Sequence, residues 1–170
     1  RMIAEGMIEF AENNGQARII TSPILSEADW NALQTGSEAR HDEVLKRIIL
    51  STVSDLRETL SKDVRTALSW LVADGVLTFK LAVPQNQLAG EFHDKFGVFT
   101  DIENNQISFH GSNNETINGT LHNYESFTIF NSWIEAYALI VENHNSRFER
   151  LWNNKDANLR VYNLPEAARQ

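Results

Sequence analysis

The stretch EFHDKFGVFTDIENNQISFHGSNNET, residues 91–116, sets His93 and Lys95 two positions apart inside an apolar run and follows them with Gly111-Ser112-Asn113-Asn114. In an extended chain alternate residues share a face, so His93, Lys95, Gly97 and Phe99 fall on one side of a strand. Phe92, Asp94, Phe96 and Val98 fall on the other. The His and the Lys therefore project together, and Gly97 beside them leaves room for a ligand. A nearby cation disfavours protonation of an imidazole. A neutral imidazole next to a cation is the pairing expected of a nucleophile that attacks a phosphodiester.

Outward from this stretch the pattern is mixed α/β. Toward the N-terminus, Ile3, Met7, Ile8 and Phe10 recur at helical spacing and stop at Asn13-Asn14-Gly15, and ARIITSPIL reads as a short buried strand. Ser26 and Asp29 open a helix with Trp30 and Leu33 that closes at Gly36. Apolar positions from Val44 to Leu60 keep a helical period, and Ser61 with Asp63-Val64 restarts a helix through Leu68 and Leu71 to Gly75. VLTFKLAVP and GEFHDKFGVFT then read as strands. IENNQISFHGS reads as a hairpin, because Asn104-Asn105 tolerate the positive φ a tight turn needs. NYESFTIF supplies another strand, Trp133 to Trp152 a long amphipathic helix, and NLRVYNL a last strand. The expected architecture is one domain over residues 1–170 with a mixed central β-sheet and helices on both faces.

The 170 residues suffice to bury roughly 70% of the surface an unfolded chain exposes. With no cysteine, disulfides, thiolate nucleophiles and Cys-ligated metal centres are excluded. No apolar run approaches the roughly 20 residues that span a bilayer. These features suggest a soluble, cytoplasmic protein with no membrane partner. The net charge of −8 disfavours broad attraction to nucleic acid, so any phosphate chemistry must rest on a local donor cluster. The chain opens on Arg-Met-Ile-Ala with a helical pattern under way and ends in LPEAARQ without a stop signal, as a piece of a longer protein would.

HDK followed by GSNN resembles the His-x-Lys and Gly-Ser-x-Asn motifs of the phospholipase D superfamily, the HKD enzymes. The ordered string FHDKFGVFTD, FHGSNNET and NYESFTIFNSW is similar to the single-motif nuclease domains attached to bacterial helicases and restriction enzymes. The resemblance implies a phospholipase D-like fold and a role for each matching residue. His93 is the nucleophile that forms a covalent phosphohistidine. Lys95 holds the non-bridging phosphate oxygens, with Ser112 and Asn114 as neutral donors beside it. Glu125 accepts a hydrogen bond from the other ring nitrogen of the nucleophile and fixes its tautomer. The resemblance requires neither a metal nor any other cofactor.

Two departures from the family pattern stand out. The position five residues after the Lys is Thr100 rather than an Asp, and the nearby acid is Asp101, read as anchoring the strand end or the hairpin. Only one His-x-Lys motif occurs, whereas the chemistry uses two, one His to attack and one to protonate the leaving oxygen. Single-motif members solve this by two-fold dimerisation, so the expectation is a homodimer whose two copies of His93, Lys95, Asn114 and Glu125 share one site. The implied partners are DNA and a helicase or ATPase domain in the same longer chain.

The remaining candidates carry less. His110 lies next to the motif, where it could contact substrate, though a hairpin-end His is more often structural, and His41, His122 and His144 have no metal-ligand spacing. Trp133, Phe148 and Trp152 are read as core or dimer contacts rather than a base-stacking platform. Lys80, Arg147, Arg150 and Lys155 are candidates for a basic track. The alternative to a metal-independent nuclease is a catalytically silent module that dimerises and grips nucleic acid, against which the full set of His, Lys, Ser, Asn and Glu argues. A lipid-directed phosphodiesterase is a further alternative, disfavoured by the lack of an amphipathic basic helix.

Overall fold

The computed structural model describes residues 6, 9–22, 43–48, 50, 62–85, 92–111 and 126–163. The expected helix over Ser26–Gly36 and the stretch 51–61 lie outside these. The described elements are mixed α/β, as expected. Their strands form two three-stranded sheets, which belong to two compact units.

The first unit, residues 1–92 with 157–170, holds β1 (Ala17–Thr21), α1 (Lys62–Ala73), β2 (Leu77–Pro84) and β6 (Leu159–Asn163). β1 and β2 run parallel, with Ala17 opposite Leu77 and Thr21 opposite Leu81. β2 and β6 run antiparallel, with Lys80 opposite Asn163 and Pro84 opposite Leu159. β2 is the middle strand. Leu81, Ala82 and Val83 are buried in succession, which requires cover on both faces of that end of the sheet. Val44, Leu45 and Ile48, on a helical stretch at 43–48, are also buried.

The helix ends follow local chemistry. At the expected stop near Asn13, Asn14 takes φ 59°, its amide donates to Ala11 O, and Gly15 N donates to Phe10 O, a Schellman closure. Asn14, rather than the glycine, adopts the left-handed conformation. Gly75, with φ 73°, ends α1 in the expected place.

The second unit, residues 93–156, holds β3 (Phe96–Thr100), β4 (Gln106–Gly111), β5 (Phe127–Asn131) and α2 (Glu135–Trp152). The three strands form an antiparallel meander. Phe96 pairs with His110 and Thr100 with Gln106, while Ser108 pairs with Phe130 and Gly111 with Phe127. Because directly opposed residues share a face, Phe96, Val98, His110, Ser108 and Phe130 form one face. Against this face packs α2, through ring contacts of His144 with Phe96, His110 and Phe130 and of Tyr137 with Phe130. The other face carries Phe99, Ile107, Phe109, Phe127 and Ile129.

The hairpin is built as the asparagines suggest, with Asn104 alone of the pair at positive φ, 64°. Asp101 closes it. Its Oδ1 accepts from the amides of Glu103 at 2.9 Å and Asn105 at 2.8 Å, and its Oδ2 accepts from Asn105 Nδ2 at 2.9 Å. α2 repeats the Schellman closure, with Asn154 at φ 54° donating to Leu151 O and Lys155 N donating to Arg150 O.

Candidate active site

His93, Asp94 and Lys95 precede β3 rather than lying within it, so the strand is shorter at its start than its apolar pattern suggests. One further backbone bond, from Gly111 N to Lys95 O at 3.1 Å, lies just ahead of the strand. Asp94 turns toward α2, its Oδ2 paired with Arg147 Nη2 and its Oδ1 3.6 Å from His110 Nε2. His93 is exposed and Lys95 half-buried, and Lys95 Nζ donates to the backbone oxygen of His93 at 3.3 Å.

This brings together the expected nucleophile and the expected phosphate clamp at one end of the second sheet. Ser112, Asn114 and Glu125 lie outside the described residues, as do His41 and His122. The space expected beside Gly97 is occupied. A Cβ there would meet the ring of Phe109 at 2.5 Å, so this glycine admits an aromatic side chain from the neighbouring strand rather than a ligand. Gly111, which leads into the Gly-Ser-Asn-Asn stretch, serves close backbone approach: a Cβ there would meet Phe127 Cα at 2.6 Å.

Behind the segment lies a polar cluster that sequence reading did not assemble. Asp94 has 12% of its side chain exposed, with Arg147 and His110 on either side of its carboxylate. The guanidinium of Arg147 also sits over the Phe96 ring, 5.2 Å from its centroid. One turn earlier on α2, His144 Nδ1 is 2.9 Å from the hydroxyl of the fully buried Ser108. Burial, followed by the nearby His110 and Arg147, pushes His144 below the ordinary histidine range, against a smaller upward pull from Asp94. His144 is thus held neutral, suited to a hydrogen bond with a hydroxyl. The sequence signal for this cluster was the placement of Asp94 opposite His93. Its partners lie on β4 and α2, reached only by the fold.

Two members of the expected basic track are engaged in ion pairs, Arg147 with Asp94 and Arg150 with Asp156, whose Nε to Oδ2 separation is 3.6 Å. Phe148 and Trp152 stack on each other at 5.9 Å, whereas Trp133 is exposed. Asp101, exposed at the far end of β3 from His93, is held below the ordinary carboxylate range, first by the side-chain amide of Asn105 and then by backbone amides. Among the described residues no three His, Asp or Glu side chains converge as metal ligands do. No described helix is long and apolar enough to cross a membrane.

No curated protein and no solved structure shows a significant match to the chain. A family model described as cardiolipin synthase, PLD-like domain, does match, over residues 3–152. That span holds both sheets except β6, together with the exposed His93 and its neighbour Lys95. On this match and these motifs, the chain belongs to the phospholipase D superfamily, whose domains act on phosphodiester bonds.

Proposed function

We propose that the chain is a metal-independent phosphodiesterase that cuts DNA through a phosphohistidine on His93. The carrying observation is an exposed His93 with Lys95 bonded to its backbone oxygen, on a segment anchored through Asp94 to Arg147, in a chain of this superfamily. The unprotonated ring nitrogen of His93 attacks phosphorus, a P–N bond forms, and the P–O bond to the leaving strand breaks. The leaving oxygen takes a proton from His93 of a second copy, and water then hydrolyses the P–N bond to free the enzyme. Lys95, with Ser112 and Asn114, neutralises charge on the non-bridging oxygens, and Glu125 fixes the tautomer of His93.

In this reading the active species is a two-fold homodimer with the two motifs facing each other. The domain serves as the nuclease module of a longer cytoplasmic helicase or restriction protein. DNA is favoured over lipid by the likeness of the ordered motifs to helicase-associated nuclease domains.

The test is incubation of the protein in chelator with plasmid DNA and, separately, with phospholipid vesicles, each beside His93→Ala. Cleavage of plasmid by the wild type alone supports the proposal. Turnover of vesicle lipid with plasmid intact replaces DNA by lipid as substrate. Cleavage that survives His93→Ala removes His93 as nucleophile.

A further inference from the structure

Asp94 is the residue of the His-Asp-Lys segment that carries no role in the chemistry above, yet it is the one most firmly held. With only 12% of its side chain exposed, its carboxylate is costly to desolvate unless cations face it. Arg147 supplies the first, opposite Oδ2 as an ion pair outside hydrogen-bond alignment. His110, from β4, stands 3.6 Å from Oδ1. Arg147 is itself oriented, because its guanidinium lies 5.2 Å from the centroid of the Phe96 ring. Phe96 in turn touches His144, one turn before Arg147 on α2, at 5.9 Å between ring centroids.

These contacts join α2 to the segment just ahead of β3. Neighbouring Cα atoms are about 3.8 Å apart, so rotating or shifting Asp94 moves His93 and Lys95 with it. The backbone of Lys95 is tied on its other side by Gly111 N. We infer that Asp94, clamped by Arg147 and His110, is a positioning residue that sets the direction of His93 and Lys95. It touches no substrate. The inference rests on the phosphodiesterase reading for its catalytic consequence, but the anchoring itself is independent of that reading.

The experiment measures turnover of bis(p-nitrophenyl) phosphate and plasmid DNA in chelator by wild type, Asp94→Asn, Arg147→Ala, Arg147→Lys and the Asp94→Asn/Arg147→Ala double variant. Amide hydrogen exchange at Gly111 and at 93–95 is followed in each, and thermal unfolding checks that each variant folds. A displacement of about 1 Å can lower turnover on the order of 10²-fold, so kcat falls by about that factor in Asp94→Asn and Arg147→Ala, with KM nearly unchanged. Arg147→Lys, which keeps the cation without the planar fork, recovers part of the loss. The double variant loses no more than the worse single, because both remove one interaction. Exchange at Gly111 rises in step.

Folded single variants with wild-type kcat, or with unchanged exchange at Gly111, overturn the inference. A wild type that turns over neither substrate contradicts the phosphodiesterase reading instead, and the exchange data then decide the anchor by themselves.

Discussion

The hydroxyl of Ser108 lies 2.9 Å from Nδ1 of His144, joining the middle strand of the second sheet to the helix that covers it. Ser108 is wholly buried and is the one buried polar residue recorded among the described residues. Replacing it with Ala leaves the imidazole nitrogen without its partner, at a cost of about 1–3 kcal/mol. For a chain of this size each kcal/mol lowers the thermal midpoint by roughly 2–4 °C. Thermal unfolding of Ser108→Ala checks this, and an unchanged midpoint contradicts it.

The same histidine makes stability depend on pH. His144 is held low by burial and by His110 and Arg147, with Asp94 opposing in part. The unfolded chain therefore takes up a proton on this side chain at a pH where the folded chain does not. Its contribution is fully present above the unfolded value, about 6.5, and is lost as pH falls through the lower folded value. Between about pH 7.5 and about pH 5, wild type should lose more of its thermal midpoint than His144→Gln, which has no ionisable group there. Parallel midpoint curves for the two proteins would show that His144 does not carry the effect.

Asp101 closes the hairpin turn. Its carboxylate is occupied by the backbone of Glu103 and Asn105 and by the Asn105 side chain. Asp101→Ala should speed amide exchange at Glu103 and Asn105 while phosphodiester turnover stays at the wild-type level. Loss of turnover with exchange unchanged would give Asp101 a direct role.

Gly97 is required by its neighbour across the hairpin. A methyl group there meets the Phe109 ring at 2.5 Å, so Gly97→Ala should destabilise by about 1–3 kcal/mol. Shortening the obstacle with Phe109→Leu should relieve part of that penalty, so that the two substitutions couple in a double-mutant cycle. Simple additivity of the two would mean the ring moves aside freely.

Local patterns carried most of the architecture. β-branched and aromatic runs marked β1, β2, β4 and β6, the helical period marked α2, and asparagine tolerance of positive φ marked the stops at Asn14 and Asn104. The hairpin role of Asp101 was also legible, because its partners lie within four residues. What escaped the sequence depends on contacts between distant elements. Nothing local to Asp94 announces that Arg147, on a helix after the whole meander, will face it. Nothing local to Gly97 shows that Phe109 fills the space above it. Arg147 looked like part of a basic track because a charge reads as solvent-facing until its partner is known. The division of the strands between two sheets is likewise a matter of pairing, which strand propensity does not specify.

His93 as the nucleophile is the centre of the proposed chemistry. The most direct measurement is mass spectrometry of the protein quenched at alkaline pH during turnover of a phosphodiester in chelator, with peptides mapped for an added phosphoryl group that still carries the retained ester of the substrate. The expected result is an adduct on the peptide bearing His93, a phosphoryl group with the retained ester, absent from His93→Gln, which is also inactive. An adduct on another residue, or turnover by His93→Gln at the wild-type rate, would contradict it.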